Sequence, residues 1–355
     1  MAEDHARTVR IGVLGAARIV RRALVVPARR VPGVTVAALA ARDRDRARAH
    51  ARRLGIPRVH ADYDALLADP DLDAVYVPLP NSLHAEWGVR ALRAGKHVLC
   101  EKPIAGNEAE ARWLADEAAR AGRVVCEAMH PVYHPLADRV GTLVAEGAIG
   151  EVRHVEARIS FPIPSRGDIR WSYELGGGAL MDLGVYAVAL LRAWAGAEPV
   201  EVTGAEARIR TPDVDRRVDA RLRFANGATG RLVTSMWGWP ALASRCHVEG
   251  SRGRLTVLNP LGPHLFNRIV LDVDGERSRE RVAGRPDTYT CQLRAFVAAV
   301  TGGEPPRTGP EHFLASMRVI DAIYRRAGLP PRGVQADAGR GARGLVPPDP
   351  DPRVD

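Results

Sequence analysis

Three side chains stand where they could move a proton at a substrate carbon. Lys102, within Glu101-Lys102-Pro103, follows a short apolar run predicted to be a strand, and the chain has only one other lysine, Lys96. Asp182 and Tyr186 are four residues apart in a stretch predicted to be helical, so both would face one substrate. A free tyrosine titrates near about pH 10, and a nearby ammonium favours the phenolate. We therefore expect Lys102 to lower the pKa of Tyr186 into a range useful for acid/base catalysis.

The first predicted turn could hold the pyrophosphate of a dinucleotide. A strand predicted over Val9-Leu14 runs into this turn and then into a helix, whose N-terminal amides favour anions. Of the three glycines in the G-x-G-x-x-G pattern the segment keeps only Gly15, with the small residues Ala17 and Val20 at the other two positions, so an ordinary strand-to-helix turn is the alternative. The candidate cofactor-binding residues of the turn are Gly15, Ala16, Ala17, Arg18 and Ile19.

The end of the second predicted strand favours NADP(H) over NAD(H), which stays possible. Ala41 stands where an NAD-binding domain usually has an acid, and Arg42 follows, with Arg46 one helical turn later. Two guanidinium groups could hold a 2′-phosphate bidentately. The alternative is that both arginines are solvated while Asp43 caps the next helix.

Other polar residues are weaker candidates. Pro80, Asn81 and His84 follow the fourth predicted strand and could contact the nicotinamide half, together with Glu101, although His84 could instead cap its helix. Arg170 and Trp171 suit sugar hydroxyls or a nucleotide, with a plain loop anchor as the alternative. No metal is expected: His130 and His134 lack the glutamate of H-E-x-x-H, and the four cysteines contain no C-x-x-C pair.

The elements that would position these residues divide into two patterns. Over the first 126 residues, short β-branched runs alternate with alanine-rich stretches of helical period, which predicts a doubly wound parallel sheet. After Met129, strands predicted between 151 and 258 follow one another without helices, which favours an antiparallel sheet in an α+β domain. The predicted units are a Rossmann domain over 8–128, an α+β domain over 129–328, and a flexible tail over 329–355.

Composition narrows the class of protein. Lys+Arg 51 against Asp+Glu 42 gives a net charge of +9. The arginines are scattered in short pieces among alanines rather than gathered in a basic stripe with aromatic residues, which argues against nucleic-acid binding. Neither a long apolar run nor a signal-like start is present, so a cytoplasmic protein without membrane association is expected.

Four features in order resemble the glucose-fructose oxidoreductase, inositol dehydrogenase and rhizopine-catabolism family (Gfo/Idh/MocA). The resemblance covers roughly residues 9 to 330. The features are the glycine turn at Gly15, the loop Pro80-Asn81-Ser82-Leu83-His84, the E-K-P triplet, and the run from Gly176 to Tyr186.

The resemblance implies roles for individual residues. Lys102 resembles the family's catalytic lysine, Asp182 its helix carboxylate, and Tyr186 the acid/base, where many members have histidine. Tyrosine is typical of the branch that includes dimeric dihydrodiol dehydrogenase, xylose dehydrogenase and nucleotide-sugar 3-ketoreductases. Substrate contacts are expected from Lys102, Arg170, Trp171, Asp182 and Tyr186.

The expected function is an NADP-dependent oxidoreductase that acts on a carbinol or carbonyl carbon of a sugar or polyhydroxylated ring. The alternatives are an NADPH-dependent 3-ketoreductase of nucleotide-linked keto-deoxyhexoses and, from another class, a non-catalytic NAD(P)-binding sensor. We also expect a homodimer or homotetramer. Valine, leucine and isoleucine alternate along the strands of 151–275, so an open face of this sheet would need a cover.

Overall fold

Two sheets organise the chain. The computed structural model describes residues 8–211, 213–238, 241–283 and 285–333. Within these residues the first sheet has six strands and the second has eight. The fold class predicted from the sequence, a doubly wound parallel sheet followed by a mainly antiparallel one, is confirmed.

The first sheet is parallel throughout its described strands. Its strand order is β3-β2-β1-β4-β5-β6. Most side chains of these strands are buried, which explains why they are apolar without alternation. The strands are β1 (Val9–Leu14), β2 (Val34–Ala40), β3 (Arg58–Val59), β4 (Ala74–Val77), β5 (His97–Cys100) and β6 (Val125–Glu127).

Polar N-cap side chains and C-terminal glycines mark the ends of several helices between these strands. Asp43, Asp62 and Asn107 each accept a hydrogen bond from a backbone N–H of the helix that follows, and Gly55 and Gly122 end helices in the left-handed conformation. A π-helical turn, Arg21–Val25, leads into the first helix. The helices are α1 (Val26–Ala28), α2 (Arg44–Leu54), α3 (Tyr63–Leu67), α4 (His84–Arg93) and α5 (Glu108–Ala121).

The strand order reverses direction at β1, with β2 on one side and β4 on the other. In open α/β sheets, ligands bind beyond the carboxyl ends of the strands at such a reversal. β1 ends at Leu14, β4 at Val77 and β5 at Cys100. The glycine turn, the loop from Pro80 and the E-K-P triplet therefore emerge at one edge of the sheet.

The second sheet is mixed. β7 and β10 pair in parallel, and its other neighbouring strands are antiparallel. Its strand order is β14-β13-β12-β11-β7-β10-β9-β8. The strands are β7 (Val152–Ser160), β8 (Pro199–Thr211), β9 (Val214–Phe224), β10 (Thr229–Ser235), β11 (Ala243–Gly250), β12 (Gly253–Leu258), β13 (Arg268–Val273) and β14 (Glu276–Glu280).

In the described residues, four further α-helices follow: α6 (Pro135–Ala145), α7 (Val185–Ala195), α8 (Thr288–Val300) and α9 (Pro310–Arg326). α7 packs on β7 and β10, and α9 packs on β8 and α5. α8 packs against α1 and joins the core of the first sheet, so the two predicted domains share buried surface, and their division at residue 128 stays a prediction. In the described part of the chain, no helix combines the length and apolarity that crossing a bilayer requires.

The uncovered face of the second sheet is charged, which corrects the reason given above for expecting an oligomer. Val155, Ala157 and Ile159 belong to the core beneath the helices. On the opposite face of the sheet, Arg231 lies 2.7 Å from a carboxylate oxygen of Asp219 and 3.6 Å from one of Glu156. The apolar alternation thus faces the helices, because side chains on a strand alternate between its two faces.

Sequence patterns missed three of the described strands, which are β3, β13 and β14. β3 has two residues and β14 reads E-R-S-R-E, so neither shows an apolar period. The turn between β13 and β14 has both Asp274 and Gly275 at positive φ, the geometry of a tight hairpin. The side chains of β14 are mostly exposed, so they contribute little buried apolar surface. The position of β14 is therefore set by the tight turn and by its backbone pairing with β13.

The start of the predicted flexible tail includes a buried residue. Arg332 is fully buried and lies 2.8 Å from a carboxylate oxygen of Asp215, which is also fully buried. Its guanidinium donates to the Gly177 carbonyl and stacks on the ring of Tyr324. Residues 334–355 of the predicted tail lie outside the described residues.

Candidate active site

The turn after β1 requires glycine at position 15. Gly15 has φ 106°, and its N–H donates to the Ala40 carbonyl at 2.7 Å. A Cβ at this position would lie 3.0 Å from Leu79 Cδ2 and 3.7 Å from Tyr63 Oη. Glycine is therefore required at position 15 for two reasons: its φ is positive, and Leu79 in the loop after β4 lies too close for a side chain. The rest of the turn, Ala16, Ala17, Arg18 and Ile19, leads into the helical segment, with Arg18 exposed.

Two exposed arginines lie beside this turn. Arg42 and Arg46 both face solvent, and their charges oppose the rise that burial causes in the pKa of Tyr63. Asp43 does cap α2, accepting from the N–H groups of Asp45 and Arg46 at 2.9 Å each. The cap leaves both guanidinium groups available to an anion at the turn.

The loop after β4 is held by its polar residues. Asn81 donates to the Gly176 carbonyl at 2.9 Å, which ties the loop after Pro80 to the glycine run of the second half. His84 is fully buried, and its ring nitrogens lie 2.7 Å from the carbonyl oxygens of Leu79 and Pro103. His84 thus neither caps α4 nor presents a surface to a cofactor, which corrects its predicted role. It positions the loop against the E-K-P turn.

Glu101 is oriented by a tyrosine. Tyr76 is fully buried in β4 and donates through its hydroxyl to Glu101 Oε1 at 2.5 Å. Burial raises the pKa of Glu101, opposed by Tyr76 and by the charge of Lys102. The carboxylate is thus fixed at the carboxyl edge of the sheet, beside the ammonium that follows it in the chain.

Asp182 is the centre of the site. Lys102 Nζ donates to its backbone oxygen at 2.7 Å and to its Oδ1 at 2.8 Å, while Arg170 Nε lies 3.0 Å from its Oδ2. Burial raises the pKa of Asp182, but the two cations outweigh it and hold the net value below the usual range. Lys102 has three donor hydrogens, so one remains for a substrate oxygen once Asp182 has taken two.

Tyr186 lies beneath Lys102. The ammonium is 4.9 Å from the ring centroid, and the hydroxyl is 3.4 Å from His130 Nε2. Burial is the largest cause that raises the pKa of Tyr186 well above its usual value, and Tyr289 and Glu101 act in the same direction. The expected net lowering of this pKa is therefore wrong, because burial outweighs the effect of the nearby ammonium. The phenol keeps its proton at neutral pH and is a proton donor.

The glycine run brings the two halves together. Gly176 and Gly178 have positive φ, and a Cβ at Gly178 would lie 2.2 Å from Asp215 Oδ1. A Cβ at Gly177 would lie 2.4 Å from the Arg170 carbonyl oxygen. This packing sets the start of the π-helical turn Leu180–Gly184, which carries Asp182.

Trp171 behaves as a loop anchor. Its side chain is 5% exposed, and its indole N–H donates to the Ile163 carbonyl at 3.3 Å. Arg170 is more open, with 41% of its side chain exposed, and it bridges Asp168 and Asp182. Of this predicted pair, only Arg170 reaches the centre of the site.

Sequence reasoning missed an aromatic wall behind Tyr186. His130, considered only as a metal ligand, packs on Tyr289 with centroids 4.1 Å apart. His134 caps α6 instead, accepting from Leu136 N–H at 3.1 Å, so the two histidines do not converge. Tyr289 comes from α8, far along the chain, and no local pattern links it to residue 186. Among the described residues, no cluster of three His, Cys, Asp or Glu side chains could hold a metal.

Two family models match the chain. The model of an oxidoreductase family with an NAD-binding Rossmann fold matches residues 9–129. The model of the GFO/IDH/MocA C-terminal domain matches residues 138–256. Together they cover the first sheet and the second sheet as far as β12.

Relatives of known activity match over most of their length. A D-xylose 1-dehydrogenase (NADP(+)) from Haloferax volcanii is 39% identical over 89% of this chain and 96% of its own. A dTDP-3,4-didehydro-2,6-dideoxy-α-D-glucose 3-reductase from Actinomadura kijaniata is 37% identical over 90% and 96%. A crystal structure of a 3-ketoreductase from Actinomadura kijaniata with NADP and TDP-benzene superposes with a TM-score of 0.83, at 34% identity over 93% of this chain and 100% of that chain.

Proposed function

Because the chain belongs to the Gfo/Idh/MocA family of oxidoreductases, we propose that it transfers hydride between NADP(H) and a carbinol or carbonyl carbon of a sugar or polyhydroxylated ring. The observation that carries this proposal is the meeting of Lys102, Asp182 and Tyr186 at the carboxyl edge of the first sheet. The NADP dependence named for the xylose dehydrogenase relative and the NADP in the ketoreductase structure support the cofactor.

The residues of the first domain fit this cofactor. Glycine at position 15 keeps the turn free of a Cβ, which would lie 3.0 Å from Leu79 Cδ2, so a pyrophosphate could approach the backbone. Arg42 and Arg46 would hold the 2′-phosphate, since Ala41 leaves no acid to repel it. Asn81 and Glu101 would border the nicotinamide. The bound cofactor supplies the hydride donor or acceptor.

The protein residues supply the proton. In the reducing direction, Tyr186 Oη donates its proton to the carbonyl oxygen as hydride reaches the carbon, which leaves a phenolate. The Lys102 ammonium, 4.9 Å from the ring centroid, stabilises that phenolate. Its remaining N–H donates to the substrate oxygen that receives the proton. Asp182 keeps Lys102 in place and Arg170 keeps Asp182 ionised. In the oxidising direction the proton returns to Tyr186.

A narrower candidate is a 3-ketoreductase of nucleotide-linked keto-deoxyhexoses. The Actinomadura kijaniata relative, 37% identical to this chain, carries this activity in its name. A panel of aldoses, nucleotide ketosugars and aryl dihydrodiols, followed by NADPH absorbance, separates the candidates. Cofactor binding without turnover of any compound would instead indicate a sensor.

We expect Arg42→Ala to weaken NADP binding about tenfold or more while NAD binding stays nearly unchanged, because charge-assisted contacts to the 2′-phosphate are lost. Dissociation constants for both cofactors, measured by fluorescence titration, check this. Arg48→Ala is the matched control, since Arg48 is also exposed on α2 but pairs with Asp45 at 3.3 Å. Equal losses of affinity for NADP and NAD would contradict the proposed binding of the 2′-phosphate by Arg42 and Arg46.

We also propose a homodimer or homotetramer formed through the second sheet. Its uncovered face presents the Arg231, Asp219 and Glu156 network, so the contact would be polar and should weaken as salt rises. Light scattering at micromolar protein, in low and high salt, measures the mass. A monomer at low salt would refute the oligomer.

A further inference from the structure

Arg210, near the end of β8, is a half-buried cation stacked between two indoles. Its guanidinium carbon lies 4.2 Å from the ring centroid of Trp171 and 5.9 Å from that of Trp237. In the part of the chain that the structure describes, its Nη1 is shielded from solvent without a hydrogen-bond partner. No carboxylate of those residues lies within 4.0 Å of its nitrogens. The two indole contacts thus leave Nη1 of this guanidinium without an acceptor among the described residues.

This cation lies beside the reacting centre rather than within it. Trp171 follows Arg170, whose Nε is 3.0 Å from Asp182. The hydroxyl of Thr211, next to Arg210, donates to the Trp171 carbonyl at 3.5 Å. A chain of contacts therefore runs from Asp182 through Arg170 and Trp171 to Arg210. A substrate whose carbonyl is held at Lys102 and Tyr186 could extend along it.

The surroundings of Arg210 are cationic and aromatic. Trp237, which follows β10, is 47% exposed, so one of its faces is open to a ligand. Arg216 donates to the Trp237 carbonyl at 3.4 Å and brings a second guanidinium to the same loop. A planar guanidinium edge binds phosphate oxygens bidentately, and an exposed indole face suits a flat ring.

We propose that Arg210, with Trp171 and Trp237, forms a subsite for a phosphate group that the substrate carries away from its reacting carbon. The proposal rests on the function proposed above and specifies its substrate class as a phosphorylated sugar. Two sources share this chemistry: a sugar phosphate, which needs only Arg210, and a nucleotide-linked sugar, whose base would also stack on Trp237.

Binding of non-reacting probes tests the subsite separately from turnover. The full-length protein is saturated with NADP so that the Arg42 site is filled, and inorganic diphosphate and thymidine diphosphate are titrated by calorimetry. We expect Arg210→Met to weaken binding of thymidine diphosphate about tenfold or more, as for lost bonds to a charged group. Arg208→Met, two residues earlier on the same strand and exposed, is the matched control and should bind as the unmodified protein does.

The outcomes separate the sources. Inorganic diphosphate binding as tightly as thymidine diphosphate, with no loss in Trp237→Ser, supports a sugar phosphate. Tighter binding of thymidine diphosphate that Trp237→Ser removes supports a nucleotide-linked sugar. Equal binding in the Arg210→Met and Arg208→Met variants, or no diphosphate binding by the unmodified protein, overturns the subsite. If the Arg210→Met variant does not fold, Arg210→Lys replaces it in the titrations. Lysine keeps the positive charge but cannot donate two parallel hydrogen bonds to a phosphate.

Kinetics distinguish this proposal from the proposed function. With a phosphorylated substrate, Arg210→Met should raise KM about tenfold with kcat nearly unchanged, and it should leave kcat/KM for a neutral aldose unaltered. Diphosphate binding that depends on Arg210 in a protein without turnover would leave the subsite standing and sink the oxidoreductase function. If the protein turned over only neutral sugars, at rates that do not depend on Arg210, the oxidoreductase function would stand and the phosphate subsite would be refuted.

Discussion

Tyr186→Phe is expected to lower kcat by about 10²–10⁴-fold, because the substitution removes the proton donor while keeping the ring beneath Lys102. NADPH affinity should be largely kept, since the hydroxyl contacts His130 and not the glycine turn. Steady-state NADPH absorbance with an active compound from the panel gives kcat, and fluorescence titration gives the affinity. Tyr173→Phe is the control: the Tyr173 hydroxyl donates to the Pro331 carbonyl at 3.3 Å, and its removal should leave nearly full activity.

Lys102→Ala should cause a loss of the same size, since the phenolate formed in reduction then lacks its cation and Asp182 loses a partner. If both residues serve one proton path, the double variant should be little worse than the poorer single one. Near-normal kcat in either single variant, or losses that simply multiply, would show that the assigned roles are wrong.

Arg332→Met is expected to lower the free energy of unfolding by about 3–5 kcal/mol, the usual cost of leaving one partner of a buried ion pair uncompensated. Asp215 would keep its bonds from Leu180 N–H and Tyr324 Oη but lose the cation that offsets its burial. Urea unfolding followed by circular dichroism measures the change. Arg318→Met removes an exposed ion pair with Glu108 and should cost about 1 kcal/mol or less.

The pH dependence of the Arg332→Met deficit tests its cause. Burial already raises the pKa of Asp215, and loss of Arg332 raises it further. A carboxyl whose folded pKa exceeds its unfolded value of about 3.9 loses stability as pH rises between the two values. The deficit should therefore grow as pH rises from the folded pKa of Asp215 in the unmodified protein, which burial already places above the unfolded value, to its higher folded pKa in the Arg332→Met variant. Adding Asp215→Asn to the Arg332→Met variant should recover part of the lost stability. A deficit that changes neither with pH nor with Asp215→Asn would show that an uncompensated Asp215 charge is not its cause.

Local sequence was sufficient for most of the first domain. Alternation of apolar strands with helical stretches predicted five of its six strands and the edge where ligands bind. Asp43 and Gly55 mark the ends of α2 through their own backbone and side-chain chemistry, so the bounds of α2 need no distant contact. The E-K-P triplet and the Asp182 and Tyr186 spacing identified the candidate catalytic residues, because residue type and position at a strand end or on a helix are properties of short segments.

Tertiary structure decided what those residues face. The charged face of the second sheet, the burial of His84 and the bonding of Arg332 to Asp215 all depend on segments distant in sequence. The shift in the pKa of Tyr186 was predicted in the wrong direction because burial is its largest cause, and the charges of Glu101 and Asp182 act in the same direction. Sequence thus determined which groups are present and which local elements carry them. Only packing determined their solvation and their partners, because both are set by contacts between residues far apart along the chain.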